Sequence, residues 1–192
     1  MCISFEASVI AFIIGEYSGY KLYQKSDTKA VGIFIMWYSI IQILEAGIYK
    51  LDTKYHNSIT KLMIINLSLQ GLVFMFYQQK HPLKQYFLIV SILLATYGVY
   101  VTFTTEKTAT ISEACNCLKW NFAKDTNTYL FYMYGLIFMY SILSNTKVNR
   151  KLFYITFSLY VIIYSQLTQL TQLNKPSIWC ISSAVSAPLM LL

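Results

Sequence analysis

Residues 30–49 read AVGIFIMWYSIIQILEAGIY, a stretch with a single charge, Glu45, bounded by Lys29 and Lys50. A helix of that length rises about 30 Å, the depth of a bilayer's hydrocarbon core. So long a run with so little charge predicts a transmembrane helix, its flanking lysines marking where it leaves the lipid. The acid inside it lies about 6 Å from the end of the run, and acids within spans are rare and expensive.

Outward from this run, six more follow the same pattern: Ala7–Tyr23, Ser58–Tyr77, Leu83–Phe103, Thr128–Leu143, Lys151–Leu167 and Pro176–Leu191. Asp27 or Thr28 can cap the helix begun at Ala30. Pro82 suits the first position of the fourth helix. The fifth and seventh runs lie at or below the usual minimum of about 17 residues, so counts of five or six compete with seven. Residues 104–127, TTEKTATISEACNCLKWNFAKDTN, are too polar to span and too short for a domain. They are expected to form an ordered extramembrane loop between the fourth and fifth spans, with room for a short helix. The expected fold is all-α integral membrane, a single polytopic domain over 1–192 built as a bundle of about seven short transmembrane helices. The opening MCISFEA lacks a basic n-region, so the first span is expected to be retained.

Composition points the same way. The chain is 56% hydrophobic and 12% charged, about half the charge of a soluble domain. That leaves too little polar surface for a body facing water. A net charge of +7 would suit nucleic acid if it were gathered on one arm or helix face. Instead the lysines sit in short loops between apolar runs, where they anchor helix ends. The expected partners are the lipid bilayer and a second copy or a membrane-complex partner, not nucleic acid. Seven spans divide the loop cations eight against seven, which sets the N-terminus outside.

Polar residues inside the spans are the candidate sites. Glu16 lies near the middle of the first run between Gly15 and Gly19, a GxxxG spacing that lets a second helix approach closely. It should face the bundle and be paired or protonated, as a proton or cation site or as a bond to a neighbouring helix. Tyr38, Gln42, Glu45 and Tyr49 recur at spacings of four, three and four and share one stripe. Asn66 and Gln70 are one turn apart in the third run. These residues could line a polar pocket open toward the N-terminal side, or act as interhelical glue worth about 0.6 kcal/mol per contact. Glue alone accounts for Asn66 and Gln70; Gln42 with Glu45 reads better as functional. Trp120 and Trp179 suit an interfacial belt, and Trp37, deeper, suits packing.

Seven spans also bring Cys2, Cys115, Cys117 and Cys180 toward one face of the membrane. Disulfides or plain buried thiols outweigh a thiolate metal site there, so no metal or other cofactor is expected. No lysine lies in the last run, which excludes a retinal Schiff base in it. His56 and His81 fall in loops, which argues against a histidine-ligated zinc site within the bilayer.

Three short motifs carry a resemblance: Met1-Cys2-Ile3-Ser4, Gln42-Ile43-Leu44-Glu45-Ala46 and Ser177-Ile178-Trp179-Cys180. Together they resemble a family of small heptahelical membrane proteins of bacteria, microbial eukaryotes and large DNA viruses. Its members open with MCxS, carry QxxE and a small residue in the second helix, and enter the last helix with SxWC. Leu118-Lys119-Trp120 is similar to a further Leu-x-Trp element, with Cys117 where the family usually has His. The resemblance implies seven helices and directs attention to Cys2, Gln42, Glu45, Trp179 and Cys180. It favours pairing Cys2 with Cys180 and suits a host or virion membrane, but it implies no activity. A small transporter or channel-like protein is the leading expectation. An accessory component of a viral or organellar membrane, or a membrane-embedded thiol-dependent enzyme, is the alternative.

Overall fold

Helices form where the apolar runs are, because a chain removed from water must satisfy its peptide groups internally. A computed structural model describes residues 4–78, 81–104, 108–112, 117–120, 140, 147–148, 150–151, 154–155 and 187–191. Helix α1 spans Phe5–Tyr23, α2 Lys29–Lys50, α3 His56–Tyr77 and α4 Lys84–Thr104. A 3₁₀ turn, Thr53–Tyr55, leads into α3. Each helix packs on the next in chain order.

The ends differ in detail from expectation. Ser4 caps α1, its hydroxyl accepting from the Ala7 N–H at 3.2 Å. Glu6 follows in the first turn, fully exposed. Its own backbone N–H, then the Ser4 hydroxyl and the charge of Lys50, hold its carboxyl below the usual carboxylate range. Thr28 occupies the N-cap position of α2, yet its hydroxyl donates back to the Leu22 carbonyl at 2.6 Å and tightens the α1–α2 turn. Pro82 lies before α4 rather than in it. The next cation, Lys84, donates from Nζ to the carbonyls of Gln78 at 2.6 Å and Phe76 at 3.2 Å, at the C-terminal end of α3.

Residues 104–127 also correct the all-α expectation. Ala109–Ser112 and Cys117–Trp120 form an antiparallel hairpin, β1 and β2, in which Ile111 faces Leu118 and Ala109 faces Trp120. Ala109 is buried and Ile111 partly so, and with Leu118 they pack on one apolar cluster.

Three helical segments, Lys29–Lys50, Thr53–Tyr77 and Lys84–Thr104, are long and apolar enough to cross a membrane. Helix α1, at 19 residues, is shorter and carries three charges, Glu6, Glu16 and Lys21. The runs expected at 128–143, 151–167 and 176–191 lie almost wholly outside the described residues. Side chains do not sort as in a water-soluble bundle, because large apolar groups face outward while several polar ones are enclosed. Leu93 is 64% exposed and Phe103 75%, with Ile10, Ile13, Phe76 and Ile89 also outward. Ser91, Thr102, Asn66 and Gln70 are buried. In α4 the buried Ser91 and Thr102 hydroxyls donate to their own helix, to the carbonyls of Phe87 and Gly98.

The apolar core divides into two clusters at opposite ends of the helices. One holds Ile41, Ile48, Ile59, Met63, Ile64 and Leu67 under the hairpin residues Ala109 and Leu118. This is the end where α1 begins, with Lys50 at the close of α2 resting its ammonium 4.9 Å from the Phe5 ring. The other cluster holds Leu22, Val31, Ile35, Phe74 and Met75 with Tyr140, Ala187 and Met190, at the α1–α2 turn. Tyr38, Ser39 and Gln70 lie between the two, whereas Gln42, Glu45 and Asn66 stand level with the first cluster.

Candidate functional site: the polar middle of the bundle

Helix α2 is the hub of this layer, and its period presents three different faces. Gly32, Met36 and Ser39 meet α1. A Cβ on Gly32 would lie 2.6 Å from the Gly19 carbonyl, and one on Gly19 would lie 2.8 Å from the Gly32 carbonyl. Backbone therefore sits on backbone at this crossing, and neither position accepts a side chain. One turn on, Gly15 lies against Ser39, where an added Cβ would come within 2.6 Å of the serine Cβ.

That close approach brings Glu16 to α2. The Ser39 hydroxyl is hydrogen-bonded to Glu16 Oε1 and lies 2.8 Å from the Met36 carbonyl. Serine has one proton to donate. An ionised Glu16 takes it. A neutral Glu16 instead donates to Ser39 Oγ, freeing the serine proton for the Met36 carbonyl. The joint thus stays hydrogen-bonded in either protonation state of the half-buried acid.

The second face meets α3. Trp37 Nε1 donates to the Asn66 carbonyl and Asn66 Nδ2 donates to the Trp37 carbonyl, both at 3.0 Å. Gln70 Nε2 donates to Asn66 Oδ1 at 3.2 Å. Asn66 and Gln70 are therefore parts of an interhelical clamp. Trp37 is more than packing, since its indole N–H is one of the two donors across the seam.

Between these faces runs the stripe of Tyr38, Gln42 and Glu45. Gln42 is 1% exposed and Glu45 0%, with Tyr38 also buried. All three, and half-buried Tyr49, engage in polar or ring interactions of their own. Glu45 lies about 4.5 Å along the axis from Gln42, on the inward side of α2. Chemically, the stripe offers an acid, an amide and a phenol shielded from both water and lipid. The three can hold a proton or a small cation, or exchange hydrogen bonds with a solute bearing donors. The structure brings Glu16 to Ser39 on the α1 face, one face around from Gln42 and Glu45.

At the N-terminal end Thr60 joins the hairpin to α3. Its hydroxyl accepts from the Ala109 N–H at 2.8 Å and donates to the His56 carbonyl at 2.7 Å. Cys117 lies in β2 opposite Ser112, so one of the four cysteines is placed at this end. Cys2, Cys115 and Cys180 lie outside the described residues. Among the described residues no group of three or more His, Cys, Asp or Glu could hold a metal ion.

Sequence reasoning missed Ser39 and Thr60. A signal existed for Ser39: it falls seven residues after Gly32, two turns along the same face, and small residues recur where helices touch. Nothing marked Thr60, because its partner is a backbone N–H 49 residues away. No family model, curated protein or solved structure matches this chain.

Proposed function

We propose that this chain is a small polytopic membrane protein of transporter or channel-like type, with Glu16, Gln42 and Glu45 as its polar intramembrane site. The observation that carries the reading is the wholly enclosed Glu45 with Gln42 one turn before it, in a helix apolar enough to span. An acid within a span is expensive, which makes an enclosed one a candidate site. The Glu16–Ser39 joint adds a second acid able to gain or lose a proton without losing its partner.

Seven crossings, an outward N-terminus and kinship with the heptahelical family belong to the same reading. Support for an odd number of crossings comes from the ends of the chain. Phe5 lies beside Lys50, whereas Ala187 and Met190 pack with Leu22 and Phe74 at the other end.

The test is proton or cation flux in proteoliposomes carrying the full chain, followed with ion-sensitive dyes inside the vesicles. Wild type is expected to conduct, and Glu45→Gln to fall to the level of empty vesicles while remaining folded. Flux that is unchanged in Glu45→Gln, or absent in wild type, sinks the reading. The clamp of Trp37, Asn66 and Gln70 favours the accessory reading as the second choice, since much of the buried polarity is structural.

A further inference from the structure

Among the described residues, charge is distributed unevenly between the two ends of the bundle. At the α1–α2 turn Lys21, Lys25 and Lys29 are all exposed. Lys147, Arg150 and Lys151 join them, because their neighbours Val148 and Ile155 pack on the cluster that holds Leu22, Val31 and Phe74. Asp27 is the acid described among them. At the hairpin end, Lys50, Lys54, Lys61 and Lys119 are accompanied by Glu6 and Asp52. There Lys54 Nζ pairs with the Asp52 carboxylate at 3.3 Å.

The basic end has a second feature. Tyr17, Tyr20 and Tyr23 are exposed on the last two turns of α1. The ammonium of Lys21 lies 5.7 Å from the Tyr17 ring centre, and that of Lys29 lies 5.0 Å from the Tyr23 ring. Amphipathic rings of this kind settle at headgroup level, and cations held over them remain beside the phosphates. The turn is also stiff. The Leu22 carbonyl accepts from both the Lys25 N–H at 3.2 Å and the Thr28 hydroxyl, and the Thr28 N–H donates to the Lys25 carbonyl. Little freedom is lost when a headgroup is bound by groups already in place.

We infer that the α1–α2 turn, with Lys21, Lys25 and Lys29 above Tyr17 and Tyr23, is a binding surface for anionic phospholipid headgroups of the adjoining leaflet. Charge complementarity carries the choice of partner: several lysines face few acids beside an apolar bundle surface, the arrangement that draws anionic lipid. Lysines act here as point charges on phosphate. The tyrosine level ties them to the membrane surface rather than to a soluble acidic protein. The inference rests on the bilayer placement proposed above and not on any flux through the bundle.

The experiment compares spin-labelled phosphatidylglycerol with spin-labelled phosphatidylcholine around the full chain, in vesicles of phosphatidylcholine with a minority of phosphatidylglycerol. Wild type is expected to immobilise a larger fraction of the anionic probe, an excess that high salt removes. K21Q/K25Q/K29Q is expected to lose that excess, and K50Q/K54Q/K61Q, with equal charge removed at the other end, to keep it. No excess in wild type, or equal loss in the two triple variants, overturns the inference. Binding of soluble polyglutamate through the same lysines without a lipid preference overturns it in favour of an acidic protein. Extraction of the chain from vesicles by alkaline carbonate would instead sink the bilayer placement, so the two failures are read separately.

Discussion

The two seams along α2 are built on opposite principles. Toward α1 the contact is shape: Gly19 and Gly32 place carbonyls where a Cβ would otherwise be, and a polar bond, Ser39 to Glu16, lies beside that crossing. Toward α3 the contact is chemistry: Trp37 and Asn66 exchange hydrogen bonds to each other's backbone, with Gln70 locking the amide. A seam of the first kind tolerates changes of polarity but no added volume. One of the second kind needs particular donors, because lipid offers no replacement partner. The difference sets which substitutions each seam can bear.

The sharpest way to break the comparison is volume in the glycine seam. Gly32→Leu is expected to cost about 3 kcal/mol or more, since both facing atoms are backbone and cannot turn aside. Loss of a monodisperse species in detergent, or a large fall in thermal unfolding temperature, checks it. Wild-type behaviour would mean that the helices do not cross there. Next comes chemistry in the other seam. Asn66→Ala removes the donor to Trp37 and the acceptor for Gln70, at an expected cost of about 1–2 kcal/mol. Trp37→Phe should show a loss of its own, and the two should be close to additive, because each side chain bonds the other residue's backbone carbonyl, which the partner substitution leaves in place. No loss in either single variant would dissolve the clamp.

The smallest effect sharpens the contrast. Glu16→Gln keeps a group that can donate to Ser39 Oγ, and is expected to change stability by less than about 0.6 kcal/mol. A change as large as that of Asn66→Ala would make Glu16 part of the scaffold and weaken its place in the proposed site.

Much of this was legible beforehand in the chain. The helix bounds of α1 to α4 fall within a residue or two of the apolar runs, because run length and flanking lysine are local properties. The GxxxG at Gly15 and Gly19 announced a close approach, and the structure identifies α2 as the helix approached. The hairpin was not foreseen: ATIS and CLKW are too short to reveal a period, and what stabilises them is burial of Ala109 and Leu118 against α2 and α3. For the same reason Asn66 and Trp37 could not be matched by inspection, lying 29 residues apart in different helices.

The amino-acid order by itself determined where the chain is helical and which segments lipid would accept. Both follow from desolvating the peptide backbone within a single run, and no neighbour is needed to decide them. Which face of α2 each neighbour takes was decided only by tertiary structure. That choice made Asn66 and Gln70 a clamp, turned Ser39 toward Glu16 and left Gln42 and Glu45 on the inward face. A helix presents all its faces equally, and only the packing of others against it gives each face a solvent or a partner.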